Sequence, residues 1–170
     1  GFGEAASVAL AKAGRNVFGV HLDRRATLPN AERIVGEIEA AGGRAIFWNV
    51  NAADAEKRAE VVAGMKEAIA AGPGENVDVV LHSLAFGTLK PFLGDEKERM
   101  TQAQMDMTLD VMAHSLVYWT QELVAAGLLG AGAHVFAMTS AGGHRIWQSY
   151  GAVSAAKAAL ESHCRQLAVE

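Results

Sequence analysis

The sequence predicts an α/β chain built on a doubly wound parallel sheet, and three observations carry that prediction. Short apolar runs of strand character alternate with longer helical stretches, a pattern that packs as a parallel sheet with helices on both faces. A helical stretch opens directly on Gly1-Phe2-Gly3, and a carboxylate, Asp23, stands twenty residues after Gly3 at the end of the next apolar run. Further on, a hydroxyl-rich strand end, Thr139-Ser140, passes through Gly142-Gly143 to Tyr150 and Lys157 at the entry of a helix.

The bulk properties bound the function. A chain of 170 residues is expected to form one domain, residues 1–170, with a sizeable core. Its 51% apolar and 20% charged content is that of a folded globule. A net charge of −4 leaves no basic footprint, so nucleic acid is not an expected partner. No apolar run approaches the roughly 20 residues of a bilayer span, so no membrane is expected. The single cysteine, Cys164, excludes an internal disulfide and a cysteine-cluster metal site, and the histidines lack ligand spacing, so no metal is expected.

The elements follow in order. Residues 4–13 carry Ala, Val and Leu without a breaker and close at Gly14, which reads as a helix with a glycine C-cap. A helix that starts on glycines presents free N–H groups and a positive dipole end to a pyrophosphate, although two glycines also suit a plain turn. Residues 17–22 form a strand. The Gly3–Asp23 spacing is that of a Rossmann-type dinucleotide fold, whose acid holds the adenosine ribose hydroxyls and repels a 2′-phosphate. Arg24 and Arg25 follow at once, to pair with that phosphate or simply to lie in a solvated loop.

Pro29 suits a first helical turn, Ile34, Val35 and Ile38 mark its buried face, and Gly42-Gly43 end it. Residues 44–50 read as the next strand. Asp54 caps a helix striped by Val61, Val62, Met65, Ala68 and Ile69, with a breaker at Gly72-Pro73-Gly74. Residues 77–81 form a strand that runs into His82. Residues 89–101 read as irregular, then one long helix spans residues 102–126 with Leu109, Met112, Leu116, Trp119 and Leu123 at helical spacing. A turn over residues 127–132 leads to the strand at 135–138. On a helix, seven positions turn the chain by ~700°, so Tyr150 and Lys157 face one way. An ammonium there favours the anion of the phenol and so makes it a better acid.

Tyr150, six residues and Lys157, after a strand-end hydroxyl, resembles the short-chain dehydrogenase/reductases. More narrowly it is similar to their enoyl-(acyl-carrier-protein) reductase branch. Ordinary members place the tyrosine four residues before the lysine, where this chain has Val153. The enoyl reductases place it seven before, where Tyr150 stands. Ser140 occupies the position of the ordinary catalytic serine, where many enoyl reductases carry a second tyrosine. His82-Ser83-Leu84-Ala85-Phe86 resembles the enoyl branch's His-Ser-(apolar)-(small)-Phe string, and Met112 stands where ordinary members have asparagine.

The resemblance implies an NADH-dependent reductase of enoyl thioesters, with NADPH possible, acting in cytoplasmic fatty acid synthesis on an acyl carrier protein or coenzyme A ester. It implies catalysis by Tyr150, Lys157 and Ser140. The cofactor would meet Gly1, Phe2, Gly3, Asp23, Asn49, Val50, Ser83, Leu84, Ala85 and Lys157, and the substrate Phe86 and Tyr150. It implies a homotetramer or homodimer formed by the long helix and the helix after Tyr150. Gly1 and Gly3 resemble the last two glycines of the family's Thr-Gly-x-x-x-Gly-x-Gly turn, so a fold truncated at both ends is expected. Two alternatives stay open: an ordinary ketone or β-ketoacyl reductase built on Ser140 and Tyr150, and a non-catalytic dinucleotide-binding module.

Overall fold

A computed structural model describes residues 1–72 and 76–170. The chain divides into two compact units, residues 1–72 and 73–170. Of the breaker expected at Gly72-Pro73-Gly74, the last two residues lie outside the described residues.

The first unit runs α1 (Phe2–Lys12), β1 (Val17–His21), α2 (Leu28–Ala40), β2 (Ala45–Asn49) and α3 (Ala55–Ala70). Gly14, at φ +83°, turns the chain out of α1 in the left-handed conformation that glycine adopts without penalty. β1 and β2 pair in parallel, from Val17 opposite Ala45 to His21 opposite Asn49. Parallel pairing needs a crossover, and α2 supplies it. Pro29 sits in the first turn of α2, and Ile38, further along it, is fully buried. Asp54 caps α3 by accepting from the Lys57 N–H at 3.0 Å. Val61, Val62 and Met65 are buried as the stripe requires, while Ala68 and Ile69 are half-buried. The Trp48 ring lies so close to Gly64 that a Cβ there would stand 3.1 Å from it.

The second unit runs β3 (Val77–His82), an irregular segment, α4 (Gln102–Leu109), a π turn (Asp110–His114), α5 (Ser115–Ala125), β4 (Leu129–Ala137), a 3₁₀ turn (Ala141–Gly143) and α6 (Gly151–Leu167). β3 and β4 are also parallel, with His82 opposite Ala137, so each unit has its own two-stranded parallel pair. The core is the seam between the π turn and its neighbours on one side, Met112, Ala113 and Leu116, and Val153, Ala156 and Leu160 of α6 on the other. Ala113 and Ala156 are fully buried and let the backbones approach, while Leu116 and Leu160 each contribute roughly 1.5–3 kcal/mol by burial.

Two boundaries differ from the sequence reading. The expected helix over residues 102–126 is broken by the π turn. Within it, Thr108, Ser115 and Thr120 turn their hydroxyls back onto the carbonyls of Gln104, Val111 and Leu116, contacts that loosen a helix ladder. The expected turn over residues 127–132 is only partly a turn, because β4 begins at Leu129. Gly132, at φ +88°, lies where the pairing with β3 shifts register, so this glycine bulges the strand instead of ending it. Among the described residues no helix is long and apolar enough to cross a membrane.

Candidate active site

In the second unit the end of β4 delivers the hydroxyl-bearing strand end to the start of α6. Ser140 Oγ lies 3.1 Å from Tyr150 Oη, and the Gly142 N–H donates to Ser140 Oγ at 3.1 Å. Tyr150 is not on the helix, as the angular reading has it. It is the cap residue, and α6 proper starts at Gly151. Lys157, two turns in, is buried at 4% exposure and donates to Met138 O at 2.7 Å and Leu84 O at 3.3 Å. Burial pushes its ammonium below the usual lysine range.

Packing sets the Tyr150 ring. A Cβ on Gly142 would fall 2.2 Å from its Cε1, and Trp147 meets it edge-on at 5.1 Å between centroids. Ser149, just before it, holds φ +59°, a left-handed conformation that costs a non-glycine residue roughly 1–2 kcal/mol. Phe92 covers Gly151, where a Cβ would stand 2.3 Å from the ring. Thr139 donates to Glu161, which also pairs with His144 at 2.8 Å, so the 3₁₀ turn is tied to α6. The sequence reading missed Trp147, Ser149 and Gly151. Only the crowding of glycines and aromatics around Tyr150 could have signalled them.

Ser83 and Leu84 are half-buried beyond β3, while Ala85 and Phe86 are exposed, Phe86 at 62%. Thr108 accepts from the Thr88 N–H at 3.1 Å and so anchors the segment that carries them. His82 is buried and bonded to Ser115 Oγ at 2.8 Å. Its ring is held down to about 4, first by burial and then by the Lys157 charge. Leu89, Phe92, Leu93, Ile146 and Trp147 are exposed apolar side chains on the segments before α4 and before Tyr150.

In the first unit, Gly1 precedes α1, Phe2 is exposed, and Gly3 lies in the first turn. Asp23 ends β1 with its carboxylate 2.7 Å from His21 Nδ1. Bonds from Thr27 and then His21 hold that carboxyl below the usual range, so it stays anionic. Asn49 is committed elsewhere. Its amide donates to Asp23 O at 3.0 Å and its carbonyl accepts from the Asp23 N–H at 2.8 Å. The Val50 N–H donates to His21 O at 2.8 Å, extending the same latch. Arg24 and Arg25 are exposed. In the first unit Asp23 offers acceptors that suit a ribose diol, and in the second unit Lys157 brings an ammonium charge to the site. Among the described residues no group of three or more metal-ligating side chains occurs.

The family described as enoyl-(acyl carrier protein) reductase matches residues 1–170. The chain is 31% identical over 117 residues to the enoyl-[acyl-carrier-protein] reductase [NADPH] FabI of Staphylococcus aureus, covering 69% of this chain and 44% of the relative. It thus spans under half the length of the curated relatives it matches. A short-chain dehydrogenase/reductase variant from Serratia marcescens superposes at TM-score 0.81 and 22% identity, over 99% of this chain and 63% of that one. A 3-oxoacyl-[acyl-carrier protein] reductase from Brucella melitensis gives 0.76 at 18% identity, over 96% and 62%. At these identities the likeness is one of fold.

Two predictions follow from the packing. Gly142→Ala should displace the Tyr150 ring and destabilise the second unit by roughly 1–3 kcal/mol, read by thermal melting and near-ultraviolet circular dichroism. Retention of the wild-type aromatic signal would contradict this geometry. For His82, the unfolded ring titrates near 6.5 and the folded ring near about 4. Between these values the unfolded state binds more protons, so stability falls as pH drops, by about 3 kcal/mol in all. Denaturant melts should show that loss in wild type, and a much shallower one in His82→Gln.

Proposed function

The chain belongs to the short-chain dehydrogenase/reductase superfamily, in the family described as enoyl-(acyl carrier protein) reductase, and on that premise we propose that it reduces the carbon–carbon double bond of an enoyl thioester. The observation that carries this reading is the fate of the two candidate tyrosine positions. Val153 is buried in the α6 core at 5% exposure and takes no part in a site. Tyr150 instead meets Ser140 and stands two turns from Lys157. Exposed apolar side chains beside it, Trp147 against its ring and Phe92 over Gly151, suit a lipophilic acyl group.

A bound nicotinamide dinucleotide would supply the hydride for the β-carbon. Tyr150 hydrogen-bonds the thioester oxygen, which gains charge as the enolate forms, so the bond strengthens where catalysis needs it. Gly142 N–H occupies a lone pair of Ser140, and when Ser140 donates to Tyr150 the phenol's own proton is free for the substrate. Lys157 brings a positive charge to the site, which opposes the negative charge that develops on the thioester oxygen. Asp23, Ser83, Leu84, Ala85 and Lys157 would hold the dinucleotide, with Gly1, Phe2 and Gly3 near its phosphates. Asn49 and Val50 serve by fixing Asp23. Acyl carrier protein or coenzyme A as carrier, cytoplasmic fatty acid synthesis, and self-association through α4, α5 and α6 all belong to this proposal.

The 3.1 Å contact of Ser140 and Tyr150 favours a second reading, reduction of a ketone polarised by both hydroxyls. Mutants separate the two. Tyr150→Phe should cut turnover of a trans-2-enoyl thioester toward the 10²–10³ range, roughly the cost of one oxyanion donor, and leave cofactor affinity nearly intact. Ser140→Ala should be mild for the enoyl substrate. Vigorous β-ketoacyl reduction by wild type that Ser140→Ala abolishes would overturn the enoyl reading.

For the cofactor we propose NADH, because an anionic Asp23 repels a 2′-phosphate. Calorimetric titration with both nucleotides should show tighter NADH binding, reversed by Asp23→Ala. A native preference for NADPH, weakened by Arg24→Ala, would assign the phosphate to the arginines.

A further inference from the structure

β3 ends in a histidine whose hydrogen bonding can be worked out from its neighbours. Ser115 Oγ donates to Val111 O at 2.7 Å, and a hydroxyl has one proton to give. The 2.8 Å contact between Ser115 Oγ and His82 Nε2 therefore runs the other way, from Nε2–H to the serine oxygen. A neutral imidazole carries a single N–H, so Nδ1 is a bare lone pair. Burial and the Lys157 charge keep the ring neutral near pH 7. Among the described residues that buried Nδ1 has no hydrogen-bond partner, in a residue only 5% exposed. Buried acceptors are rarely left so, because each forfeits its water for nothing.

The neighbourhood gives this acceptor a use. Met138 donates its N–H to His82 O at 2.9 Å and accepts Lys157 Nζ at 2.7 Å on its own carbonyl. One residue thus joins histidine and lysine. We propose that His82 is a positioning residue for Lys157: Ser115 fixes its tautomer, and Nδ1 accepts a hydrogen bond from a water molecule that in turn accepts from Lys157 Nζ. The link favours the charged ammonium against the cost of its burial. It rests on Lys157 serving the reductase site proposed above. Other groups able to move the same titration are Tyr150, Glu161, His144, Asp110 and His114. Glu161 is engaged by Thr139 and His144, and His114 by His163, so an exchange at His82 leaves these pairs in place.

Two substitutions divide the roles of the ring. In His82→Gln the amide nitrogen reaches the place of Nε2 and keeps the bond to Ser115, but nothing stands at Nδ1. In His82→Asn a carbonyl oxygen reaches the place of Nδ1 and the bond to Ser115 is lost. The full chain, labelled with ¹⁵N-histidine, should show a bare Nδ1 and a protonated Nε2 at neutral pH. The alkaline limb of nicotinamide cofactor binding should move down by about one pH unit in His82→Gln. It should stay in place in His82→Asn, although that variant melts lower. A purely structural histidine predicts the reverse order. A wild-type limb in His82→Gln, or an Nδ1–H signal in the native protein, would falsify the proposal. Should His82→Gln not fold, Ser115→Ala frees the tautomer instead, and the limb should fall as an Nδ1–H signal appears; an unmoved limb overturns the idea equally. If the nitrogen signature and the binding limb behave as expected while no enoyl thioester turns over, His82 keeps this role and the substrate reading falls.

Discussion

An ammonium taken out of water must be given oxygen atoms to replace it, and the second unit is arranged around meeting that demand for Lys157. Its two carbonyl partners come from different places, Met138 just past β4 and Leu84 just past β3. The two contacts form together only when α6, the end of β4 and the segment after β3 are all in register. The strand pair fixes two of the three, since His82 lies opposite Ala137 and Met138 continues the ladder onto His82 O. The core at Leu116 and Leu160 fixes the third by pressing α6 onto the π turn. The charge is therefore a check on the fold as well as a tool for the site.

The phenol is positioned by sterics where the lysine is positioned by polarity. Tyr150 stands at a helix entry, a place where backbone geometry alone leaves a side chain much freedom. Gly142, Trp147 and the left-handed Ser149 remove it. Small residues are needed because ring and backbone approach closer than a Cβ permits. Strain at Ser149 is tolerated because the flanking Ser140 contact and helix start over-determine the path. The same logic repeats at Gly151 under Phe92 and at Gly87, where a Cβ would stand 2.8 Å from Met112 Sδ.

The first unit solves a different problem, holding a carboxylate still at a strand end. Asn49 closes two hydrogen bonds on the Asp23 backbone, and His21 and Thr27 engage its side chain. A side chain that the family resemblance gives to the cofactor here bonds the strand beside it. The effect is to keep Asp23 charged and aimed, which bears on the choice between a ribose hydroxyl and a phosphate.

Much of this was legible along the chain. Alternating strand and helix, the Asp54 cap, the α3 stripe and the closing Gly14 depend on neighbours within a few residues, and local periodicity reports them faithfully. The spacing of Tyr150 and Lys157, with Val153 between, likewise picked out the pair that the fold directs to Ser140 and the strand-end carbonyls. The bond between His82 and Ser115, thirty-three positions apart, had no signal in the sequence. Nor had the π turn, the bulge at Gly132 or the diversion of Asn49. Each is decided by which donor meets which acceptor after the elements pack, a competition among groups remote in sequence. Local propensity cannot arbitrate it, because every candidate partner is equally plausible until the backbone brings one of them within 3 Å.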